Sequence, residues 1–157
     1  MTSNKTKTTN ETPAHQFPVS ILLVEDNLNV AELICLLLQE AGFETQHTTT
    51  VREALVLAVT KPPALFLLDV DLPDGNGFDL CRRLKAHPVT ARIPIVFCTG
   101  RVDARPEALA AGGIDCVQKP VDVFELPVRV QRALDQLVSH PESNNRSNPT
   151  SRPTSYE

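Results

Sequence analysis

The chain has 157 residues, of which 41% are hydrophobic, and this is enough for one domain with an ordinary core. The formal net charge is −4, and the lysines and arginines are scattered, which argues against a nucleic-acid surface. No apolar run approaches the roughly 18 residues of a membrane span, and the polar N-terminus has no signal-peptide core. We therefore expect a cytoplasmic protein without a membrane segment.

The two ends differ in composition from the body of the chain. Residues 1–17 and 139–157 are rich in Ser, Thr, Asn and Pro and nearly free of apolar residues. Such segments bury too little surface to offset the entropy lost on ordering. The composition predicts a disordered N-terminal tail over 1–17 and one folded domain over 18–138. Residues 139–157 are predicted to be a disordered tail or a truncated linker.

Five short segments along the body are predicted to be strands. Most of them are apolar throughout, which is typical of strands that are buried on both faces of a sheet. The second is more polar and is expected at an edge. In chain order the predicted strands are Val19–Val24, Phe43–Thr48, Ala64–Leu68, Ile93–Cys98 and Asp115–Gln118.

A helix is predicted after each strand, because apolar residues recur there at helical spacing. Asn27 is the expected N-cap of the first helix, and Gly42 is expected to end it. Asp103 is the expected N-cap of the fourth helix, and Asp122 with Glu125 forms a potential capping box at the fifth. The predicted helices include residues 30–38, 51–58, 77–87, 104–111 and 122–138.

The alternation of strand and helix calls for a parallel sheet with helices on both faces. In such sheets ligands bind outside the carboxyl ends of the strands. Three acids, a hydroxyl and a lysine directly follow the predicted strands or end them, namely Glu25, Asp26, Asp69, Thr99 and Lys119. We expect these side chains to meet at one edge of the sheet.

Neighbouring carboxylates of this kind suit a hard cation and phosphoryl transfer. Two carboxylates about 4 Å apart repel by about 4 kcal/mol at an effective dielectric of 20, and Mg2+ removes that conflict. A carboxylate beside the cation can act as a nucleophile, with a hydroxyl and an ammonium group facing the phosphoryl oxygens. Taken singly, each residue fits a solvated turn, a strand end or a surface charge; their joint appearance after successive strands favours a site.

Four stretches resemble the receiver domain of two-component response regulators. They are LLVEDN (22–27), LLDVDLPDGNGF (67–78), IVFCTG (95–100) and AGGIDCVQKP (111–120), in that family's order and spacing. The resemblance implies a flavodoxin-like, doubly wound α/β fold: five parallel strands in the order 2-1-3-4-5, with five helices. It also implies Mg2+-dependent phosphorylation of an aspartate by a phosphohistidine or a small phosphodonor.

The resemblance assigns roles to the acids by their position in these motifs. Asp69 resembles the phosphoacceptor of the family. Asp26 resembles a carboxylate that ligates the metal, with Glu25 as a supporting neighbour. Asp71 falls where the family offers a backbone carbonyl to the metal, and its side chain is expected to tune the site.

The remaining motif residues include one departure from the family. Thr99 resembles the switch hydroxyl, and Lys119 resembles the family's lysine, which is expected to precede a cis bond to Pro120. Cys116 stands three residues before the lysine, where most receivers carry Tyr or Phe. We therefore expect intact chemistry at Asp69 without the usual aromatic read-out, and without the common symmetric dimer contact at that face.

The sequence is compatible with three classes of function. The leading one is a phosphoacceptor switch, not a turnover enzyme, which receives its phosphoryl group from a sensor histidine kinase or a phosphotransfer protein and acts on a downstream protein. An interaction module that works without phosphorylation is the alternative. A phosphatase with a D-x-D nucleophile pair, Asp69 and Asp71, is disfavoured because that family carries the pair on its first strand.

Other residues receive simpler interpretations. The four cysteines show no metal-site spacing and are expected to be buried thiols in a reducing compartment. Phe78 and Phe124 are expected in the core, and Asp74 and Asp79 in a turn and on a helix surface. The four histidines show no ligand or phosphorelay spacing.

Overall fold

The computed structural model describes residues 18–138, so the predictions for the tails at 1–17 and 139–157 lie outside the described residues. Five parallel strands form one sheet, and five helices cover its two faces. The predicted flavodoxin-like fold is confirmed. Within residues 18–138, every helix is too short or too polar to cross a bilayer.

The strands of the main sheet have the predicted order. Numbered along the chain, the strands are β1 Ser20–Val24, β2 Glu44–Thr48, β3 Leu65–Leu68, β4 Asp71–Leu72, β5 Gly75–Asn76, β6 Ile95–Thr99 and β7 Asp115–Gln118. The sheet runs β2-β1-β3-β6-β7, which is 2-1-3-4-5 when only its own five strands are counted. The short strands β4 and β5 pair antiparallel in a separate hairpin that the sequence did not predict.

The helices lie between consecutive sheet strands, with the last at the C-terminal end of the domain. They are α1 Leu28–Glu40, α2 Val51–Thr60, α3 Gly77–Ala86, α4 Arg105–Ala111 and α5 Glu125–Val138. One buried cluster joins α1 and α5 to one face of the sheet, and a second joins α2, α3 and α4 to the other. Both faces of the central strands are therefore covered, which explains their unbroken apolar runs.

Most predicted helix ends are confirmed. The Asn27 side chain accepts hydrogen bonds from two backbone N–H groups in the first turn of α1. Gly42 follows that helix with a φ of 92°, a conformation that favours glycine. The Asp122 carboxylate likewise caps α5. The Glu125 carboxylate binds Arg129, so only one half of the predicted capping box is shown.

Several predicted boundaries are wrong by one to three residues, and two of them have a clear physical cause. Asp103 is not the N-cap of α4, because the helix begins at Arg105 and Ala104 occupies the cap position. Pro106 in the first turn has no N–H group and reduces the need for a capping side chain. The strand predicted from Ile93 begins at Ile95, because Pro94 cannot donate a hydrogen bond to the sheet.

The predictions for the remaining phenylalanine, aspartate and cysteine residues are partly confirmed. Phe78 is buried, but Phe124 is 83% exposed, so its placement in the core is wrong. It lies directly before α5, in the turn whose N–H groups are capped by Asp122. Asp74 lies in the turn between β4 and β5, as predicted, and also accepts hydrogen bonds from two N–H groups at the start of α2. All four cysteines are free; Cys81 and Cys98 are buried, and Cys35 and Cys116 are half-buried.

Candidate functional site

Backbone hydrogen bonds continue past the strand ends and fix the positions of the predicted site residues. The Asp69 N–H donates to the Val24 carbonyl at 2.9 Å, which ties the residue after β3 to the end of β1. The Lys119 N–H donates to the Thr99 carbonyl at 2.8 Å, which ties the residue after β7 to the end of β6. The side chains at this edge therefore project from a rigid frame.

The three predicted acids form a cluster at the carboxyl edge. One carboxylate oxygen from each of Glu25, Asp26 and Asp69 lies within 4.8 Å of the other two. Glu25 and Asp69 are buried, with 1% and 8% of their surface exposed, while Asp26 is exposed. Burial reduces the screening of their mutual repulsion by water, so the cluster favours a positive charge among its members.

Lys119 supplies one such charge. Its Nζ atom donates a hydrogen bond to Oδ2 of Asp69 at 3.0 Å and forms an ion pair with Oε1 of Glu25. Burial lowers the pKa of Lys119, but the hydrogen bonds with Glu25 and Asp69 outweigh it and raise the pKa above its ordinary value. The lysine is therefore charged, and it neutralises one of the three acids.

The negative charge of the Glu25 carboxylate is not fully compensated by its protein neighbours. Burial, together with the neighbouring Asp69 carboxylate, raises the pKa of Glu25 despite the opposing effect of Lys119. Its Oε2 atom is the one buried side-chain oxygen within residues 18–138 that has no hydrogen-bond partner. A buried carboxylate oxygen without a donor, beside two other carboxylates, fits a hard divalent cation that prefers oxygen ligands.

Thr99 ends β6 and is buried beside this cluster of charges. Its hydroxyl oxygen accepts a hydrogen bond from the Arg101 N–H at 3.2 Å. Because the oxygen is held as an acceptor, its own proton is available for a further acceptor at the edge of the sheet.

Asp71 lies at the edge of the site, and its carboxylate binds Arg101. Its two oxygens accept hydrogen bonds from Nε and Nη2 of Arg101, at 3.1 and 2.6 Å. The Arg101 guanidinium lowers the pKa of Asp71 below its ordinary value. Arg101 was not predicted from the sequence, although a signal existed: Asp71 follows Asp69 by two residues, as Arg101 follows Thr99.

Gly77 allows the backbone to pack tightly behind the acceptor position. A Cβ atom at Gly77 would lie 2.0 Å from the backbone oxygen of Asp69. Its N–H donates to the Val70 carbonyl at 2.7 Å, so the start of α3 is fixed against the segment that carries Asp69. Any larger residue would move one of these two segments.

A doubly wound sheet with an acidic cluster, a hydroxyl and a lysine at its carboxyl edge defines a flavodoxin-like protein of the receiver type. The chain matches the family model described as response regulator receiver domain over residues 21–131, and it belongs to that family. It is a receiver domain of two-component signalling.

Two relatives and two solved structures illustrate the similarity. The chain is 35% identical to the phosphate regulon transcriptional regulatory protein PhoB of Pseudomonas aeruginosa over 117 residues, 73% of this chain and 51% of that protein. It is 32% identical to the regulatory protein AtoC of Escherichia coli over 114 residues, 73% of this chain and 25% of that protein. The chain thus spans about half or less of these relatives.

The solved structures are receiver domains of similar size. The signal receiver domain of a histidine kinase from Syntrophus aciditrophicus has a TM-score of 0.70 at 34% identity, covering 82% of this chain and 98% of that one. A CheY-like receiver domain protein from Methanospirillum hungatei has a TM-score of 0.71 at 26% identity, covering 78% and 98%.

Proposed function

We propose that the chain is a phosphoacceptor switch in a two-component phosphorelay, with Asp69 as the residue that is phosphorylated. The observation that carries this proposal is the position of the Asp69 carboxylate. It belongs to the acidic cluster and also accepts a hydrogen bond from Lys119. A single carboxylate thus combines the contacts needed for a nucleophile and for charge stabilisation.

The chain's own groups account for the transfer step. A carboxylate oxygen of Asp69 attacks the phosphorus of a phosphohistidine, the phosphorus–nitrogen bond breaks, and the imidazole nitrogen keeps the electron pair. Lys119 remains charged and holds a position next to the oxygen atoms of the transferred group. The Thr99 hydroxyl donates a hydrogen bond to one of them.

Mg2+ is the cofactor proposed for this cluster. The carboxylates of Asp26 and Asp69 and the backbone carbonyl of Asp71 would hold it, with Glu25 in support. When bound, Mg2+ neutralises negative charge on the transferred phosphoryl group. The unpartnered Oε2 of Glu25 supports a cation there.

The proposed partners are a sensor histidine kinase or phosphotransfer protein and a downstream protein target. The negative net charge and the scattered basic residues do not support nucleic-acid binding by this chain. The four free cysteines fit a reducing cytoplasm. We assign the chain the role of a switch that is phosphorylated and dephosphorylated, not that of a turnover enzyme.

Two features of the chain bear on the alternative functions, a D-x-D phosphatase and an interaction module. The Asp71 carboxylate is bound by Arg101, which counts against a phosphatase in which the second acid of D-x-D exchanges protons with substrate. The retained acceptor-site residues argue against an interaction module that works without phosphorylation, and Cys116 in place of an aromatic residue is the one feature that keeps it as the second candidate. Uptake of a phosphoryl group separates this second candidate from the proposed switch.

The test is phosphorylation by acetyl phosphate with Mg2+, followed by intact mass, on the wild type, Asp69→Asn and Asp71→Asn. The wild type and Asp71→Asn are expected to gain one phosphoryl mass, and Asp69→Asn none. Chelation of the cation with EDTA should abolish the gain. Asp79→Asn, an exposed acid on α3, is the matched control and should behave as the wild type.

Each result bears directly on the proposal. If the wild type gains no mass and also fails to bind beryllofluoride, the switch is wrong and the chain is an interaction module. If Asp69→Asn still gains mass, the acceptor is another residue. Sustained hydrolysis of a phosphomonoester would favour the phosphatase.

A further inference from the structure

Two residues of the edge strand β2 bind the backbone of Glu25, one residue beyond the end of β1. The Glu25 N–H donates to the Thr48 carbonyl at 3.0 Å, which extends the pairing of the two strands by one step. The Glu25 carbonyl accepts a hydrogen bond from Nε2 of His47 at 2.7 Å. Because a carbonyl oxygen can only accept, Nε2 of the ring carries the proton. Both backbone polar groups of Glu25 are therefore bound, one of them by a side chain.

The carbonyl that His47 binds belongs to the peptide unit between Glu25 and Asp26. A peptide unit is planar and rigid, so a hydrogen bond to its oxygen restricts the rotation of the backbone on both sides of it. Glu25 and Asp26 are two members of the acidic cluster, and Asp69 is the third. The orientation of this one peptide unit therefore sets the directions in which two neighbouring carboxylates leave the backbone.

Asp26 depends on that backbone more than its neighbours do. The Glu25 side chain is held by an ion pair with Lys119, and the Asn27 side chain caps α1. Asp26 lies between them and is exposed, and among the residues that the structure describes its carboxylate has no hydrogen-bond or ion-pair partner. Its place in the cluster is therefore determined by the peptide unit that His47 binds.

We propose that His47 is a positioning residue for the cation site, and that its Nε2–H group orients the Glu25–Asp26 peptide unit so that both carboxylates are in place when Mg2+ binds. This inference rests on the proposed function and adds a residue that holds no ligand atom itself. Hydrogen bonds that orient ligand-bearing groups commonly change metal affinity, because a ligand that is already in place loses less freedom on binding.

A purely structural role of this hydrogen bond predicts a different result. If the bond only stabilised the end of β2, its loss would lower the free energy of unfolding and leave the affinity for Mg2+ unchanged. Gln46 provides the comparison, because its Nε2 atom donates to the Ser20 hydroxyl oxygen at 3.2 Å, at the other end of β1. Gln46→Leu thus removes a side-chain hydrogen bond from the same strand, on its opposite face and away from the acidic cluster.

The experiment titrates Mg2+ alone into isotope-labelled protein and follows the chemical shifts of the backbone amides around the cluster. His47→Leu has no donor, whereas His47→Gln has an amide Nε2 of similar reach that carries protons. His47→Leu is expected to raise the Mg2+ concentration at half-saturation roughly threefold to tenfold, the ratio that one hydrogen bond commonly contributes. His47→Gln should recover most of the wild-type affinity, and Gln46→Leu should match the wild type.

Phosphorylation by acetyl phosphate at increasing Mg2+ concentration gives a second readout, followed by intact mass. In His47→Leu the concentration of Mg2+ needed for half of the maximal rate should rise by the same ratio. The rate at saturating Mg2+ should stay within about twofold of the wild type, because His47 is not assigned to any reacting atom. His47 is exposed, so its replacement is expected to leave the fold intact, and urea denaturation checks this.

The outcomes separate this inference from the proposed function. An unchanged affinity for Mg2+ in His47→Leu, a loss in His47→Gln as large as that in His47→Leu, or an equal loss in Gln46→Leu would overturn the positioning role. Those results leave the proposed switch intact. A wild type whose amides around the cluster do not respond to Mg2+ removes the proposed cation site, and the role of His47 with it.

Discussion

At the scale of single residues, the site depends on how closely the backbone packs behind Asp69. The Asp69 carboxylate faces Glu25 and Lys119, while its backbone oxygen lies against Gly77. The segment that carries the Asp69 carboxylate can therefore lie this close to α3 only because Gly77 has no side chain. Gly100 offers a contrast, because a Cβ atom there would meet nothing within 4 Å.

Replacement of Gly77 by alanine is expected to destabilise the fold and disturb the site. A Cβ atom 2.0 Å from the Asp69 oxygen forces the segments apart, and overpacking of this kind costs about 1–3 kcal/mol of unfolding free energy. Gly100→Ala is the matched control and should cost less than half of that. Urea denaturation of the two variants checks the difference; equal losses would contradict it.

At the scale of secondary-structure elements, Asp115 connects two helices to the edge strand β7. Its carboxylate accepts hydrogen bonds from Arg129 on α5 and from Arg105 on α4. Burial raises the pKa of Asp115, but the two arginines outweigh it and lower the pKa well below the ordinary 3.8. Arg129 also donates to the Cys116 carbonyl at 2.8 Å. The strand that carries Cys116 is thus fixed to α5 by side chains.

Asp115→Asn is expected to lose about 1–2 kcal/mol of unfolding free energy at pH 7, because two arginines lose their charged acceptor. The sign of the pH dependence follows from the lowered pKa. The folded state releases the proton more readily than the unfolded chain, so the stabilisation is complete above about pH 5 and is lost progressively as the pH falls further.

Urea denaturation at pH 7 and pH 2.5 measures this difference between the wild type and Asp115→Asn, which should shrink at the lower pH. Asp79→Asn, in an exposed pair on α3, is the control and should change little at either pH. A difference that stays constant would show that packing, and not ionisation, determines the loss.

The absence of an aromatic read-out at the face that carries Cys116 stays a prediction.

At the scale of the whole molecule, apolar side chains are exposed at the same edge as the site. Phe124 is 83% exposed and Leu28 is 66% exposed; they lie at the starts of α5 and α1, beside the loops that carry Lys119 and Asp26. These helices pack on one face of the sheet. An exposed aromatic residue beside a candidate phosphorylation site suits a docking protein that brings a phosphohistidine.

Phe124→Ala is therefore expected to slow transfer from a phosphorylated histidine phosphotransfer domain by roughly tenfold, the effect of a moderate interface residue. Phosphorylation by acetyl phosphate should be unchanged, because a small donor does not need the docking surface. Val56→Ala, at an exposed position on α2 across the sheet, is the control. Quenched-flow measurement of both rates checks this; an equal loss with both donors would place the effect of Phe124 within the site itself.

The sequence alone determined the order of strands and helices along the chain and the members of the acidic cluster, whereas the spatial order of the strands in the sheet was implied by the family resemblance. Apolar runs such as Leu65–Leu68 can be satisfied only between two layers of helices, and parallel strands bring their carboxyl ends to one edge. The sequence therefore predicts that Glu25, Asp26, Asp69 and Lys119 lie together at that edge. The spacing of the four receiver-like motifs indicates the same cluster of residues.

Only the tertiary structure decided which partner each side chain takes. The contact of Asp71 with Arg101, the capping of α2 by Asp74 and the exposure of Phe124 all depend on where loops lie relative to one another. Local periodicity determines which face of a helix or strand is buried, because it depends on neighbours in the chain. Contacts between loops depend on distances across the fold, and local periodicity does not encode those distances.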